Sequence, residues 1–125
     1  MRASAPDPSL DREAVLSKAT LRAAERLGLR RNELSQAIGL SAATLSRMYA
    51  GKFRLDENSK SWELASLVVR LYRGLDAILA GDERAVQSWM RSPNADLHET
   101  PVNLIGHVAG LANVVAYVDA SRARI

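Results

Sequence analysis

The chain has 125 residues, and its 47% hydrophobic and 25% charged content is typical of a soluble globular protein of one domain or two very small ones. The absence of cysteine excludes a disulfide framework, a cysteine zinc site and a thiol nucleophile. No apolar run reaches the length of a membrane span, and the opening residues MRASAPDP lack the apolar stretch of a secretory signal. We therefore expect a cytoplasmic protein that makes no membrane contact.

The net charge of +3 is unevenly distributed along the chain. Residues 1–60 carry eleven Lys and Arg against seven Asp and Glu, whereas residues 61–125 carry six against seven. A basic first half and a near-neutral second half indicate two tasks, with any contact to a polyanion in the first half. A basic surface that serves only solubility would show the same bias, so the motifs must decide.

Apolar residues recur at helical spacing along most of the chain, and no alternating run of strand length is present. Pro6 and Pro8 mark a short leader before the first helix. Thr100 and Pro101 supply an N-cap and a first helical residue, the preferred order at a helix start. The sequence therefore predicts an all-α fold of about seven helices, at residues 11–27, 31–38, 41–49, 58–80, 82–91, 101–105 and 111–118.

The helix predicted over residues 58–80 has an unusually wide apolar face. Beside its main aliphatic stripe runs a second stripe that contains Trp62, Val69 and Tyr72. A surface helix needs only one such stripe to pack on a core. We therefore expect this helix to pack on two sides, against a second lobe or another subunit.

Residues 29–52, LRRNELSQAIGLSAATLSRMYAGK, contain two short helices joined by a tight turn at Gly39. Apolar residues such as Leu34, Leu45 and Met48 would hold the two helices at a set angle. This is the spacing of a helix-turn-helix, in which the second helix lies in the major groove of DNA. The alternative is a purely structural helical hairpin with a solvated arginine face.

The segment at residues 20–58 resembles the Xre family of lambda-type repressors. The resemblance is carried by Leu34-Ser35, Gly39, Ser41 and Gly51, with Ser35 in place of the usual alanine. It implies phosphate contacts, which make DNA binding salt-dependent, and a recognition helix on which Arg47 contacts guanine and the alanines contact thymine methyls. The implied DNA-binding residues are Arg31, Gln36, Lys52 and Arg54 at phosphates, and Ser41, Ala42, Ala43, Thr44, Ser46 and Arg47 on the recognition helix.

Asp96, His98, Glu99 and His107 form the one cluster in the sequence that could bind a metal or perform acid–base chemistry. Their spacing matches no recognised ligand pattern, and helix breaks separate the two histidines. Polar residues in a short loop between helices are usually caps or solvent contacts, and Asp96 and Glu99 could favour the N-terminal end of the helix at Pro101. We expect no catalytic residue, metal, cofactor or small-molecule substrate.

Residues 60–121 resemble the Xre/MbcA/ParS toxin-binding domain. The family often has glycine in the turn before Thr-Pro, where this chain has His98 and Glu99, and it commonly ends the last helix with a glycine, where this chain ends in SRARI. The residues that carry the resemblance are Trp89-Met90, Ser92-Pro93-Asn94, Leu97, Thr100-Pro101, Leu104-Ile105, Gly110 and Val114-Val115.

Together the two resemblances imply an antitoxin of a type II toxin–antitoxin pair. They imply a helix-turn-helix domain over residues 1–58 and a toxin-binding and dimerisation domain over residues 59–125. The implied partners are a RES-domain toxin that degrades NAD, operator DNA of the antitoxin's own operon, and a second copy of the chain. The wide apolar face at residues 58–80 is the expected interface between the two copies.

The last helix and the tail are the expected toxin contacts. We expect Arg122, Arg124 and Ile125 to reach toward the NAD pocket of the toxin, where cationic side chains could take the place of the dinucleotide phosphates. Tyr117 and Ser121 would complete this surface. The alternative is a stand-alone Xre-type repressor whose C-terminal half only dimerises.

Overall fold

The computed structural model describes residues 8–124. Over this range the chain forms seven α-helices and no strand, with one isolated bridge between Asn94 and Glu99. The predicted all-α fold of about seven helices is therefore confirmed. The helices are α1 Pro8–Leu27, α2 Arg31–Ile38, α3 Ala42–Tyr49, α4 Lys60–Ile78, α5 Glu83–Arg91, α6 Pro101–Leu104 and α7 Val108–Arg122.

The first helix begins earlier than its sequence pattern predicts. Pro8, assigned to the leader, is the first residue of α1, three positions before the expected start. Proline is compatible with this position because the first N–H groups of a helix have no acceptor within the helix. Pro6, the other leader proline, lies outside the described residues.

Helix α4 is the centre of the fold. It packs against α1, α2 and α7. Most of its main stripe is buried, with only Leu67 and Ile78 partly exposed. Its second stripe borders α1, with Val69 buried and Trp62 and Tyr72 partly buried. The wide apolar face of α4 is thus used largely within one chain, between α1 on one side and α7 on the other.

A single apolar cluster connects the helix-turn-helix with the C-terminal helices. Arg91, the last residue of α5, strengthens this connection. Its guanidinium donates to both Glu33 carboxylate oxygens in α2, at 2.7 and 3.1 Å, and to the Gly28 carbonyl oxygen at 2.7 Å. The division predicted after residue 58 falls in the loop before α4, and it stays a prediction.

Two glycines allow α7 to pack closely against its neighbours. A Cβ atom at Gly110 would overlap the carbonyl oxygen of Leu104, and a Cβ atom at Gly74 would lie 2.5 Å from Val118 Cγ1. Gly110 therefore brings the start of α7 into close contact with α6. Each helix described over residues 8–124 is too short or too polar to cross a membrane.

Candidate functional site

The turn between α2 and α3 is held by local hydrogen bonds. Gly39 has φ of 71°, and its N–H donates to the Ser35 carbonyl oxygen at 3.0 Å. The Ser35 hydroxyl donates to the Leu40 carbonyl oxygen, so this serine ties α2 to the turn that follows it. Ser41 Oγ accepts from the Thr44 N–H at 3.1 Å, which confirms Ser41 as the N-cap of α3.

Helix α3 buries one face and exposes the other. Leu45 and Met48 lie in the core, while Ala42, Ser46 and Arg47 are exposed. Ala43 is exposed as well, and the Thr44 hydroxyl bonds to the Ser41 hydroxyl at 2.9 Å. Apart from Arg47, the side chains on the outer face are therefore short. Short side chains allow the helix to approach the edges of base pairs closely.

Arg47 makes one long hydrogen bond within the protein. Its Nη2 donates to the Lys52 carbonyl oxygen at 3.5 Å, a distance at which little energy is lost when the bond breaks. Lys52 and Arg54 are exposed in the loop after Gly51. The structure thus brings Arg47 and Lys52 together at the C-terminal end of α3.

Arg31 is held near the same end of α3 by an aromatic residue. Its guanidinium carbon lies 4.1 Å from the centre of the Tyr49 ring, a cation–π contact between α2 and α3. Burial raises the pKa of the Tyr49 hydroxyl. Gln36, another predicted phosphate contact, is exposed and lies beside Gly106, where α2 meets the α6–α7 junction.

A second surface lies where α5 and α7 meet the end of α4. The Trp89 and Tyr117 rings stack with centroids 6.4 Å apart and planes 18° from parallel. They border a pocket of about 220 Å³, here called the Trp89–Tyr117 pocket. The pocket is lined by Leu75, Ile78, Leu79, Trp89, Tyr117, Val118 and Ser121.

Trp89 is partly buried and packs against the core at the pocket, and its neighbour Met90 is fully buried. One sequence expectation for this region needs correction. Asp96 does not favour the start of α6. Its Oδ2 instead accepts a hydrogen bond from the Tyr117 hydroxyl at 2.7 Å, which raises the pKa of Tyr117.

Glu99 does stabilise the start of α6. Its Oε1 accepts from the Thr100 N–H at 2.7 Å and from Asn103 Nδ2 at 3.3 Å, and the first of these bonds lowers the pKa of Glu99. Thr100 occupies the N-cap position, but its side chain makes no capping hydrogen bond. Within residues 8–124, no group of three or more His, Asp or Glu side chains is placed to hold a metal ion.

The turn before α6 depends on a strained residue. His98 has φ of 62°, in the left-handed region that favours glycine. The related family often has glycine in this turn, so His98 keeps a glycine-like conformation with a larger side chain. The departure from the family pattern therefore changes the side chain more than the backbone.

The predicted toxin-binding residues divide between two surfaces. Tyr117 and Ser121 lie one helical turn apart and line the Trp89–Tyr117 pocket. Arg122 instead lines a groove of about 640 Å³ between α1 and α4, here called the α1–α4 groove. Arg124 is exposed after α7, and Ile125 lies outside the described residues.

Comparison with protein families agrees with this arrangement. Residues 8–70 match the antitoxin Xre-like helix-turn-helix domain, and residues 74–124 match the antitoxin Xre/MbcA/ParS C-terminal toxin-binding domain. The chain belongs to the Xre antitoxin family. No curated protein shows significant similarity to the antitoxin.

The antitoxin therefore combines a DNA-binding helix-turn-helix with a toxin-binding domain. Sequence reasoning identified both segments and the exposed residues of α3. It did not find the contacts of Arg91 with α2, the stacking of Arg31 on Tyr49, or the bond between Tyr117 and Asp96. The sequence contains little that would predict these three contacts, because each joins common surface residues from separate segments of the chain.

Proposed function

We propose that the antitoxin neutralises a cognate RES-type, NAD-degrading toxin and represses its own operon. The observation that carries this proposal is the exposed face of α3 on a chain whose C-terminal half matches a toxin-binding domain. The antitoxin acts in the cytoplasm by binding and has no catalytic role of its own. Its partners are the toxin, operator DNA and a second antitoxin chain.

DNA recognition rests on Arg47, with phosphate contacts from residues around it. Arg47 reads a guanine by two parallel hydrogen bonds, while Ala42 and Ala43 contact thymine methyl groups. Arg31, Lys52 and Arg54 contact phosphates and set the position of α3 in the groove. Gln36 is the fourth proposed phosphate contact, and Ser41, Thr44 and Ser46 lie on the helix beside Arg47.

The test measures binding to DNA from upstream of the antitoxin's own gene, as a gel shift and by fluorescence anisotropy at several salt concentrations. Arg47→Ala should lose at least tenfold in affinity for this DNA and little for unrelated DNA. Arg84→Ala, at an exposed position in α5, is the matched control. Salt-independent binding, or no binding by the wild type, would contradict the proposed DNA recognition.

Neutralisation of the toxin rests on the end of α7 and the tail. We propose that Arg122, Arg124 and Ile125 enter the NAD pocket of the toxin and exclude the dinucleotide, with Tyr117 and Ser121 at the edge of the contact. A chain that lacks residues 121–125 should lose inhibition of NAD degradation at least tenfold. Full inhibition by the shortened chain would rule out this role for the tail.

Homodimer formation is proposed through the apolar residues of α1 and α4 in the α1–α4 groove, which leaves Arg122 of α7 for the toxin. These residues are Val15, Leu16, Trp62 and Val69, and Val15 is 68% exposed. Two copies would bring two recognition helices to two half-sites. Val15→Glu should produce a monomer in light-scattering measurements, while Val108→Glu, at a valine that is 60% exposed in α7, should remain dimeric.

The main alternative is a stand-alone repressor whose C-terminal half only dimerises. The match of residues 74–124 to a toxin-binding domain favours the antitoxin. Co-purification with the product of the adjacent gene, together with rescue of growth from that product, is expected for an antitoxin. A stand-alone repressor would show neither.

A further inference from the structure

We infer that the Trp89–Tyr117 pocket is an anchor site that receives one uncharged aromatic side chain of the toxin. The inference rests on the proposed toxin binding and adds a location and a chemistry to it. Every residue that lines the pocket lies within residues 74–124, the part matched to a toxin-binding domain. The occupant is therefore assigned to the toxin and not to DNA.

The lining of the pocket indicates the kind of side chain that it accepts. Its lining is aliphatic and aromatic apart from Ser121, and the side chains that line it carry no formal charge. A charged group placed among them would lose hydration and meet no opposite charge on the lining. The stacked rings of Trp89 and Tyr117 offer an aromatic surface, against which another ring packs in an offset or edge-to-face arrangement.

The pocket is also organised before a partner arrives. Asp96 accepts the Tyr117 hydroxyl at 2.7 Å and so fixes the tilt of the ring, and Val118 and Leu75 close the floor in the buried core. The volume of about 220 Å³ is that of one large side chain. In many interfaces a few residues contribute most of the affinity, and these are often aromatic side chains that fill preformed pockets on the partner.

The test introduces a phenylalanine at each of two positions that line the pocket, so that the antitoxin's own ring occupies it. Ser121→Phe places a ring in it from α7, and Leu79→Phe does so from the end of α4. Ala120→Phe adds the same ring at the exposed neighbouring position of α7 and serves as the matched control. Circular dichroism melting and DNA binding confirm that each variant is folded.

The binding partner in the assay is the purified product of the gene adjacent to the antitoxin's gene. Ser121→Phe and Leu79→Phe should each weaken its binding at least tenfold, and Ala120→Phe should change it less than twofold. Wild-type affinity in either pocket variant would overturn the inference, because a ring in the pocket would then leave the toxin contact intact. No binding by the wild-type chain would instead overturn the proposed function.

Fluorescence provides a second readout that a nonspecific effect would not give. The chain has two tryptophans, so Trp62→Phe leaves Trp89 as the sole reporter. Addition of the toxin should shift or quench the Trp89 emission in this variant, with the same midpoint as binding. Unchanged emission at saturation would mean that the pocket stays empty and would contradict the inference.

Discussion

Two glycines in the helix-turn-helix of α2 and α3 and two in residues 74–124, the toxin-binding region by its family match, have different roles. Gly39 and Gly51 have φ of 71° and 74°, and a Cβ atom at either would meet nothing closer than 3.8 Å. Gly74 and Gly110 have ordinary helical backbones, but a neighbouring element occupies the space of their missing side chains. The first pair serves local chain reversal, and the second allows α7 to pack closely against α4 and α6.

This difference indicates how substitutions in each region should affect folding. In the helix-turn-helix, the side chains proposed to contact DNA are exposed and can change without disturbing the core. In the toxin-binding region, the position of α7 sets both the Trp89–Tyr117 pocket and the proposed contacts of the tail. Substitutions should therefore separate DNA binding from folding more easily than they separate toxin binding from folding.

The largest expected effect is at Gly110. Gly110→Ala places a methyl group on the Leu104 carbonyl oxygen, and because backbone atoms must move to relieve the overlap, we expect a loss of about 3 kcal/mol in the free energy of unfolding. Urea unfolding monitored by circular dichroism measures it. Gly106→Ala is the control, since the closest contact of its methyl group would be the flexible Gln36 side chain at 3.3 Å, and it should cost much less.

The next effect tests the connection between the two regions. Arg91→Met removes three hydrogen bonds to Glu33 and Gly28, and we expect a loss of about 1.5 kcal/mol in unfolding free energy, limited by the partial exposure of Arg91. A double-mutant cycle with Glu33→Gln measures the coupling. Strictly additive effects would show that the pair does not join α5 to α2.

The same pair makes stability depend on pH. The hydrogen bond from Arg91 lowers the pKa of Glu33 in the folded state below its unfolded value of about 4.3. The stabilisation is therefore present above about pH 4.3 and is lost as pH falls through the folded-state pKa. Unfolding free energies measured between neutral and acidic pH should fall less steeply for Arg91→Met than for the wild type.

A smaller effect compares two N-caps that look alike in sequence. Ser41→Ala removes a capping bond to the Thr44 N–H and should cost about 1 kcal/mol. Thr100→Ala removes a hydroxyl that makes no capping bond, since the Asn103 N–H donates to the Thr100 carbonyl oxygen at 3.0 Å, and it should be close to neutral. Equal losses in thermal melting would show that the two caps work alike.

The smallest expected effect is a gain in stability. His98→Gly should relieve the strain of φ at 62° and raise the unfolding free energy by up to about 1 kcal/mol, less the flexibility that glycine adds to the unfolded chain. His98→Ala keeps the strain and is the matched control. A His98→Gly variant no more stable than His98→Ala would mean that the turn carries no conformational strain.

Much of the antitoxin could be predicted from sequence because its signals are local. The helix periods, the Ser41 cap and the turn at Gly39 each depend on residues within one or two helical turns, so the all-α fold followed from spacing. The exposed face of α3 followed from the resemblance to the Xre family. The start of α1 was misplaced for a similar reason. Proline is compatible with both a leader and a first helical turn, and local pattern does not separate the two.

The contacts between residues far apart in the chain could be seen only in the tertiary structure. In it the second stripe of α4 packs beside α1, and Asp96 bonds to Tyr117 and not to the start of α6. Tyr117 and Ser121 line one pocket, whereas Arg122 lines another. Nothing in the spacing of these residues encodes such pairings, because they depend on how whole helices cross. The sequence determined the helices and their exposed faces, while close packing at Gly74 and Gly110 decided which faces meet.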